Sequence, residues 1–248
     1  MFLDPGRMEY GAALELQRIL AERRAKGEVP DILILLEHYN VITLGRKTSP
    51  ENFKAQDVPV FQVERGGDAT YHGPGQLVGY PIVMLEDHDV RKYVRRIEEA
   101  LIGAVRKFGI EGERLDGHPG VWVQGKKLAS VGVAVTNWVT YHGFALNVNT
   151  DLSYFNLIRP CGLDPNTMTS MQRLRRERVS FEDVKESVRT ELSSVFGIDF
   201  APGELEDTPV RSGNFSHLGE GKEVGTIRYS IRERKLEVAT ENPSSNKT

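Results

Sequence analysis

The residue with the most chemistry to offer is Cys161, the only cysteine of the chain, held between Pro160 and Gly162. A single thiol can form no intrachain disulfide and cannot supply a four-thiolate zinc site. It is either a small buried hydrophobe or a nucleophile. The flanking proline and glycine argue for a bend where backbone N–H groups are free, as an oxyanion site needs. The six histidines, His38, His72, His88, His118, His142 and His217, show no HExxH spacing and no cluster with the cysteine, so no metal site is expected. His72 and His142 lie in the two most glycine-flanked polar segments. There they suit hydrogen-bonding roles near a substrate, with structural histidines as the alternative.

The segment Arg65-Gly-Gly-Asp-Ala-Thr-Tyr-His-Gly-Pro-Gly-Gln-Leu-Val-Gly-Tyr-Pro81 carries five glycines and two prolines. Glycine permits close backbone approach, so the segment reads as a ligand-cradling loop or as a plain glycine-rich connection. Gly73 to Gly79 is one residue too long for a dinucleotide fingerprint, contains Pro74 and precedes no helical pattern. Gly120-Val-Trp-Val-Gln-Gly125-Lys126 has phosphate-loop spacing. However, Lys127 stands where Ser or Thr must hold magnesium, and the context is strand-turn-strand. Neither nucleotide site is expected.

The elements that position these groups follow from periodicity. Apolar residues at Ala12, Leu16, Ile19 and Leu20 predict a helix from Met8 to about Lys26, stopped by Gly27 and Pro30. Asp31 to His38 and Val41 to Leu44 are strand-sized apolar runs, both expected to feed a central sheet. Asp89 caps a second helix through Val94, Ile97, Leu101 and Val105, ending near Gly109. Ser180 and Asp183 open a third, running to Gly197. Between these two lie extended segments at Gly120–Val123, Lys127–Val135 and Val139–Asn149, with a turn at Gln124-Gly125. Strands that cluster away from the helices predict an α+β (mixed α/β) architecture with a central mixed sheet. Residues 1–202 read as one catalytic domain and 203–248 as an extension, with one hairpin over Thr226 to Val238 and a polar, disordered tail.

With 32 basic and 35 acidic residues, the net charge of −3 offers no global attraction to nucleic acid or to an anionic membrane. One basic cluster, Arg173, Arg175, Arg176 and Arg178, is either a dock for an acidic partner or a solvated face. No apolar run reaches membrane-spanning length, and the opening residues carry neither a secretory nor an organelle signal. A cytoplasmic address is expected.

Four separated blocks, Arg65–Gln76, Gly125-Lys-Lys-Leu-Ala-Ser-Val-Gly132, His142-Gly-Phe-Ala-Leu-Asn147 and Arg159-Pro-Cys-Gly162, resemble the octanoyltransferase (LipB) family in sequence and in order. The resemblance spans about Leu33 to Ser170. It implies the fold of biotin and lipoate protein ligases and a lipoyl(octanoyl) transferase with no cofactor. Such an enzyme moves octanoate from octanoyl-acyl carrier protein to a lysine on lipoyl domains of 2-oxoacid dehydrogenases or on the glycine cleavage H protein. It further implies an acyl-carrying Cys161 and a partner Lys127, with Lys126 as the competing assignment. Neighbouring strand residues face opposite sides, so the two lysines cannot both serve the thiol. The acyl-binding segments it implies are Arg65, Gly66, Gly67, Asp68, Ala69, Thr70, Tyr71 and His72; Ser130, Val131 and Gly132; and Gly143, Phe144 and Ala145. Tyr39-Asn40 departs from the prolines common in the family, and the chain beyond Pro202 is longer than the family core.

Overall fold

The computed structural model of the chain describes residues 1–49, 58–158, 165–203, 208–210, 226–230 and 235–239. In chain order, β1 (Phe2–Met8) leads into α1 (Tyr10–Ala25), then β2 (Ile32–His38), β3 (Val41–Leu44) and β4 (Val60–Gln62). Next come β5 (Thr70–His72), β6 (Gln76–Ile82) and α2 (Val90–Arg106). The strands β7 (Glu113–Leu115), β8 (His118–Val123), β9 (Lys126–Thr136) and β10 (Val139–Asn147) precede α3 (Met171–Arg175) and α4 (Phe181–Phe196). The last elements among the described residues are the strands β11 (Thr208–Val210), β12 (Thr226–Ser230) and β13 (Lys235–Ala239).

Seven strands form one mixed sheet in the order β1-β2-β6-β10-β9-β8-β7, parallel only between β1 and β2. A smaller sheet, β4-β3-β5, stands beside it. Both faces of the large sheet are covered, which is why β2 reads as an unbroken apolar run. Its alternate residues part to the two sides. Leu33 and Leu35 join Ile97, Leu101, Val105, Val188 and Leu192 of α2 and α4. Ile32, Ile34 and Leu36 join Leu16 and Leu20 of α1.

The helix ends follow the expected chemistry. Asp89 accepts from the Lys92 N–H at 2.9 Å, and Ser180 from the Asp183 N–H at 3.3 Å. Gly27 and Gly197, at φ +75° and +63°, close α1 and α4. The strands β12 and β13 pair antiparallel, in register from Thr226↔Ala239 to Ser230↔Lys235. The polar tail after Ala239 lies outside the described residues.

Two expectations are corrected. β3 lies in the smaller sheet and not in the central one, and the glycine-rich segment 65–81 is mostly strand rather than loop; the opening residues, for which no element was expected, form an edge strand. β6 is a central strand with all seven residues buried. Its Gly79 lies against Phe144, where an added Cβ would stand 2.1 Å from the ring. Its Pro81 falls beyond the rungs shared with β10, so the missing N–H breaks no bond on that side. The Pro81 carbonyl accepts from Thr140 Oγ1 at 2.8 Å and from the Tyr93 hydroxyl at 3.1 Å.

Three strands are stitched by one imidazole. His38 Nδ1 lies 2.9 Å from the Met8 carbonyl, and its Nε2 lies 2.6 Å from the Tyr80 hydroxyl. A carbonyl only accepts, so Nδ1 donates and Nε2 accepts the Tyr80 proton. Burial pushes the ring down to about 4 from its ordinary 6.5.

Gly79→Ala should cost about 1–3 kcal/mol through forced repacking, read from the urea midpoint. Between pH 6.5 and 4 the unfolded chain binds a proton that native His38 refuses. Stability is therefore full above pH 6.5 and falls as the pH drops toward 4, by about 3 kcal/mol from this group. Urea titrations of His38→Gln should show a correspondingly flatter acid limb than the parent.

Candidate functional site

A cavity of about 610 Å³ opens between the β9–β10 face and the Arg65–His72 segment. This is the size of a small-ligand site. From β9 it is lined by Lys127, Ser130, Val131, Gly132 and Val133, and from β10 by His142, Gly143, Phe144 and Ala145. The two strands pair in register Gly132↔Gly143 and Ser130↔Ala145, so the two motif segments meet rung by rung.

The Arg65–Gly67 stretch is bound to this face by the Gly66 N–H, which donates to the Val133 carbonyl at 3.0 Å. Arg65 is buried, and its Nη2 donates to the Thr43 carbonyl and Oγ1, both at 2.9 Å. Asp68 Oδ1 accepts from the Ala69 N–H at 2.7 Å. Of the eight residues Arg65 to His72, all but Tyr71 line the cavity. Strand alternation in β5 turns Tyr71 away: it stacks on Tyr154 at 4.9 Å and donates to Asn40 Oδ1 at 2.9 Å.

After His72 the chain turns through Gly73-Pro74-Gly75-Gln76, closed by the Gln76 N–H on the Gly73 carbonyl at 3.1 Å. Proline at the second position and Gly75 at φ +80° at the third make this a type II turn, which accounts for the false dinucleotide spacing. Gln76 Nε2 donates to the Tyr71 carbonyl at 3.1 Å and to Asn147 Oδ1 at 3.0 Å. Its Oε1 therefore faces His72 Nδ1, at 2.8 Å, and must accept from it. Burial, then the neighbouring His38, hold the His72 imidazole well below its ordinary pKa. The ring is neutral and presents Nε2 as an acceptor.

The two lysines part as alternation requires. Lys127 is 3% exposed and lines the cavity, its Nζ 5.4 Å from the centre of the Trp122 ring. Lys126 is exposed and donates to the Asn166 carbonyl at 2.9 Å. Lys127 also forms a parallel bridge with Met168, and its carbonyl accepts from the Thr169 N–H at 3.0 Å. Cys161, with Arg159, Pro160 and Gly162, lies outside the described residues. Among the described residues no group of three His, Cys, Asp or Glu could hold a metal ion. No helix among them is long and apolar enough to cross a membrane.

Sequence reasoning missed Tyr10, Lys47, Val90, Val94, Gly117, His118 and Pro119, which also line the cavity, and gave Tyr80 no role of its own inside the glycine-rich segment. The missed residues come from α1, α2, the start of β8 and loops, and nothing in their local sequence marks them.

The chain matches the lipoyl protein ligase A/B catalytic domain family over residues 9–193. It is 48% identical over 207 residues to an octanoyltransferase of Solibacter usitatus, covering 80% of this chain and 93% of the relative. It is 46% identical over 214 residues to an octanoyltransferase of Syntrophobacter fumaroxidans, covering 83% and 94%. Among solved structures, lipoate-protein ligase A bound with ATP superposes with a TM-score of 0.72 at 18% identity, covering 83% of this chain and 88% of that one. A bipartite lipoate protein ligase from Thermoplasma acidophilum gives 0.60 at 19%, covering 83% and 88%. The likeness to these structures establishes the α+β ligase fold. Sequence identity to the named relatives establishes that the chain belongs to the octanoyltransferase family.

Proposed function

We propose that this chain is an octanoyl-[acyl-carrier-protein]:protein N-octanoyltransferase. It moves an octanoyl group from octanoyl-acyl carrier protein to a lysine of lipoyl domains, including that of the glycine cleavage H protein, through an acyl-Cys161 thioester. The observation that carries this reading is the buried Lys127 on the cavity wall. Its strand is bridged to Met168 and Thr169, seven and eight positions after Cys161. Residues 1–202 would form the catalytic unit, acting in the cytoplasm, with 203–248 appended.

A free thiol has a pKa of about 8.5, and a neighbouring ammonium raises the thiolate fraction. The Cys161 thiolate attacks the donor thioester, and the tetrahedral oxyanion collapses with loss of the carrier thiolate. Lys127 then protonates that thiolate. The incoming amine attacks the acyl-enzyme, and the now neutral Lys127 takes its proton as the Cys161 sulfur leaves. A backbone N–H at Gly162 is the oxyanion donor of this reading. Exchange between thioesters is nearly balanced and amide formation is downhill, so no nucleotide is consumed.

Intact-mass spectrometry after mixing with octanoyl-acyl carrier protein, without ATP, should show one octanoyl increment that Cys161→Ala lacks. Lys127→Ala should slow turnover by about 10²–10⁴-fold with circular dichroism unchanged. Normal transfer by Cys161→Ala, or transfer that requires ATP and free octanoate, would overturn the proposal in favour of a ligase.

A further inference from the structure

Among the described residues, six that are not glycine have left-handed φ; five occupy turns, a loop or a helix end, and only His142, at φ +58°, lies within a strand. Such a conformation persists in a side-chain-bearing residue only when its surroundings impose it. Here the imposing contact comes from α1. The His142 N–H donates to Gln17 Oε1 at 2.8 Å, while Gln17 Nε2 donates to the Ala13 carbonyl at 3.1 Å, and Gln17 is fully buried.

The consequence is a change of direction. Regular alternation would send Tyr141 and His142 to opposite faces, yet their rings lie side by side at 4.9 Å. The His142 ring is thereby placed on the cavity, 2% exposed, and its Nε2 has no hydrogen-bond partner among the described residues. The nearest carboxylate, Glu64 Oε2, is 3.8 Å away, beyond hydrogen-bond reach. On the ladder His142 pairs with Val133, at the opposite end of the cavity wall from Lys127. About 20 Å of extended strand separates Lys127 from Val133, and the lysine side chain takes up part of it.

We infer that His142, clamped by Gln17 and turned inward by its left-handed backbone, is the end wall of the acyl channel and sets the longest chain that the cavity takes. The inference rests on the acyl-transfer reading above. With its carbonyl at Lys127, an octanoyl chain runs past Ser130–Gly132 and Gly143–Ala145 and ends at this ring, with Tyr10, His72 and Tyr80 around it. Each further methylene would gain about fourfold in affinity if the wall were apolar and yielding. This wall is neither. The ring stands on a backbone whose N–H is held by Gln17 Oε1, and its Nε2 lies 3.8 Å from the Glu64 carboxylate, so displacing it disturbs buried polar groups.

The test compares acyl carrier protein thioesters from hexanoyl to tetradecanoyl on the full chain. Glycine suits φ +58°, so His142→Gly should fold and lower the octanoyl-to-dodecanoyl ratio of kcat/KM by about tenfold or more. His142→Phe should move the preference the other way, toward hexanoyl, and Gln17→Leu should lower the same ratio. Ratios within twofold of the parent in folded His142→Gly and His142→Phe, or shifts of the same sign in both, would overturn the inference. Should neither fold, the ratio for Gln17→Leu decides. Protection from thermal unfolding by octanoate against dodecanoate gives the same ranking without turnover, so failure of the acyl-transfer reading is separable from failure of this one.

Discussion

The site depends on close approaches between backbones at one rung of the sheet. The Arg65–Gly67 segment lies on the Gly132 side of the β9–β10 rung Gly132↔Gly143, tied there by the Gly66 N–H on the Val133 carbonyl, and β6 closes on the Gly143 side. A Cβ on Gly132 would stand 3.2 Å from the Gly66 carbonyl, and one on Gly143 would stand 2.2 Å from the Gly79 carbonyl. Glycine at these positions is therefore a packing requirement before it is a binding one. With no side chain on the rung itself, the wall there is bare backbone, and the cavity is shaped by the residues at either end of it. Lys127 stands at one end and His142 at the other.

Around this cavity the polar groups are buried in a way that fixes their protons. His38 gives its Nδ1 proton to Met8 and takes the Tyr80 proton; His72 gives its Nδ1 proton to Gln76. Burial keeps both rings neutral, because a charged imidazole there would lose its hydration without gaining an anionic partner. The chain Gln76–Asn147–Thr169 then carries the same fixed geometry across to the strand bearing Lys127, through bonds of 3.0 Å at each step. The cavity wall and the lysine are thus held by one connected network, and neither can shift without breaking a buried hydrogen bond.

Much of the architecture was legible locally. β2 showed itself as an apolar run, and α2 and α4 as apolar stripes with Asp89 and Ser180 before them. Those signals depend only on side-chain period and on the backbone's need for caps. β6 escaped because its glycine and proline argue locally for a loop. Only the Phe144 ring and the end of the β10 ladder make Gly79 and Pro81 fit a central strand. β1 escaped for a related reason, since Pro5 and Gly6 sit at its register shift against β2.

For the site, the motif blocks named most of the wall, and a period of two correctly separated Lys127 from Lys126. The same period explains why Tyr71, inside a motif, faces away. It failed at His142, whose direction is set by Gln17, far away in sequence. What the sequence by itself determined was the three long helices, the apolar strands, the family and the residue types able to do chemistry, because these rest on residue type and short-range spacing. Only the tertiary structure decided which side chains share the cavity, which nitrogen of each histidine carries the proton and which residue closes the far end. Those depend on hydrogen bonds and contacts between segments that nothing local relates.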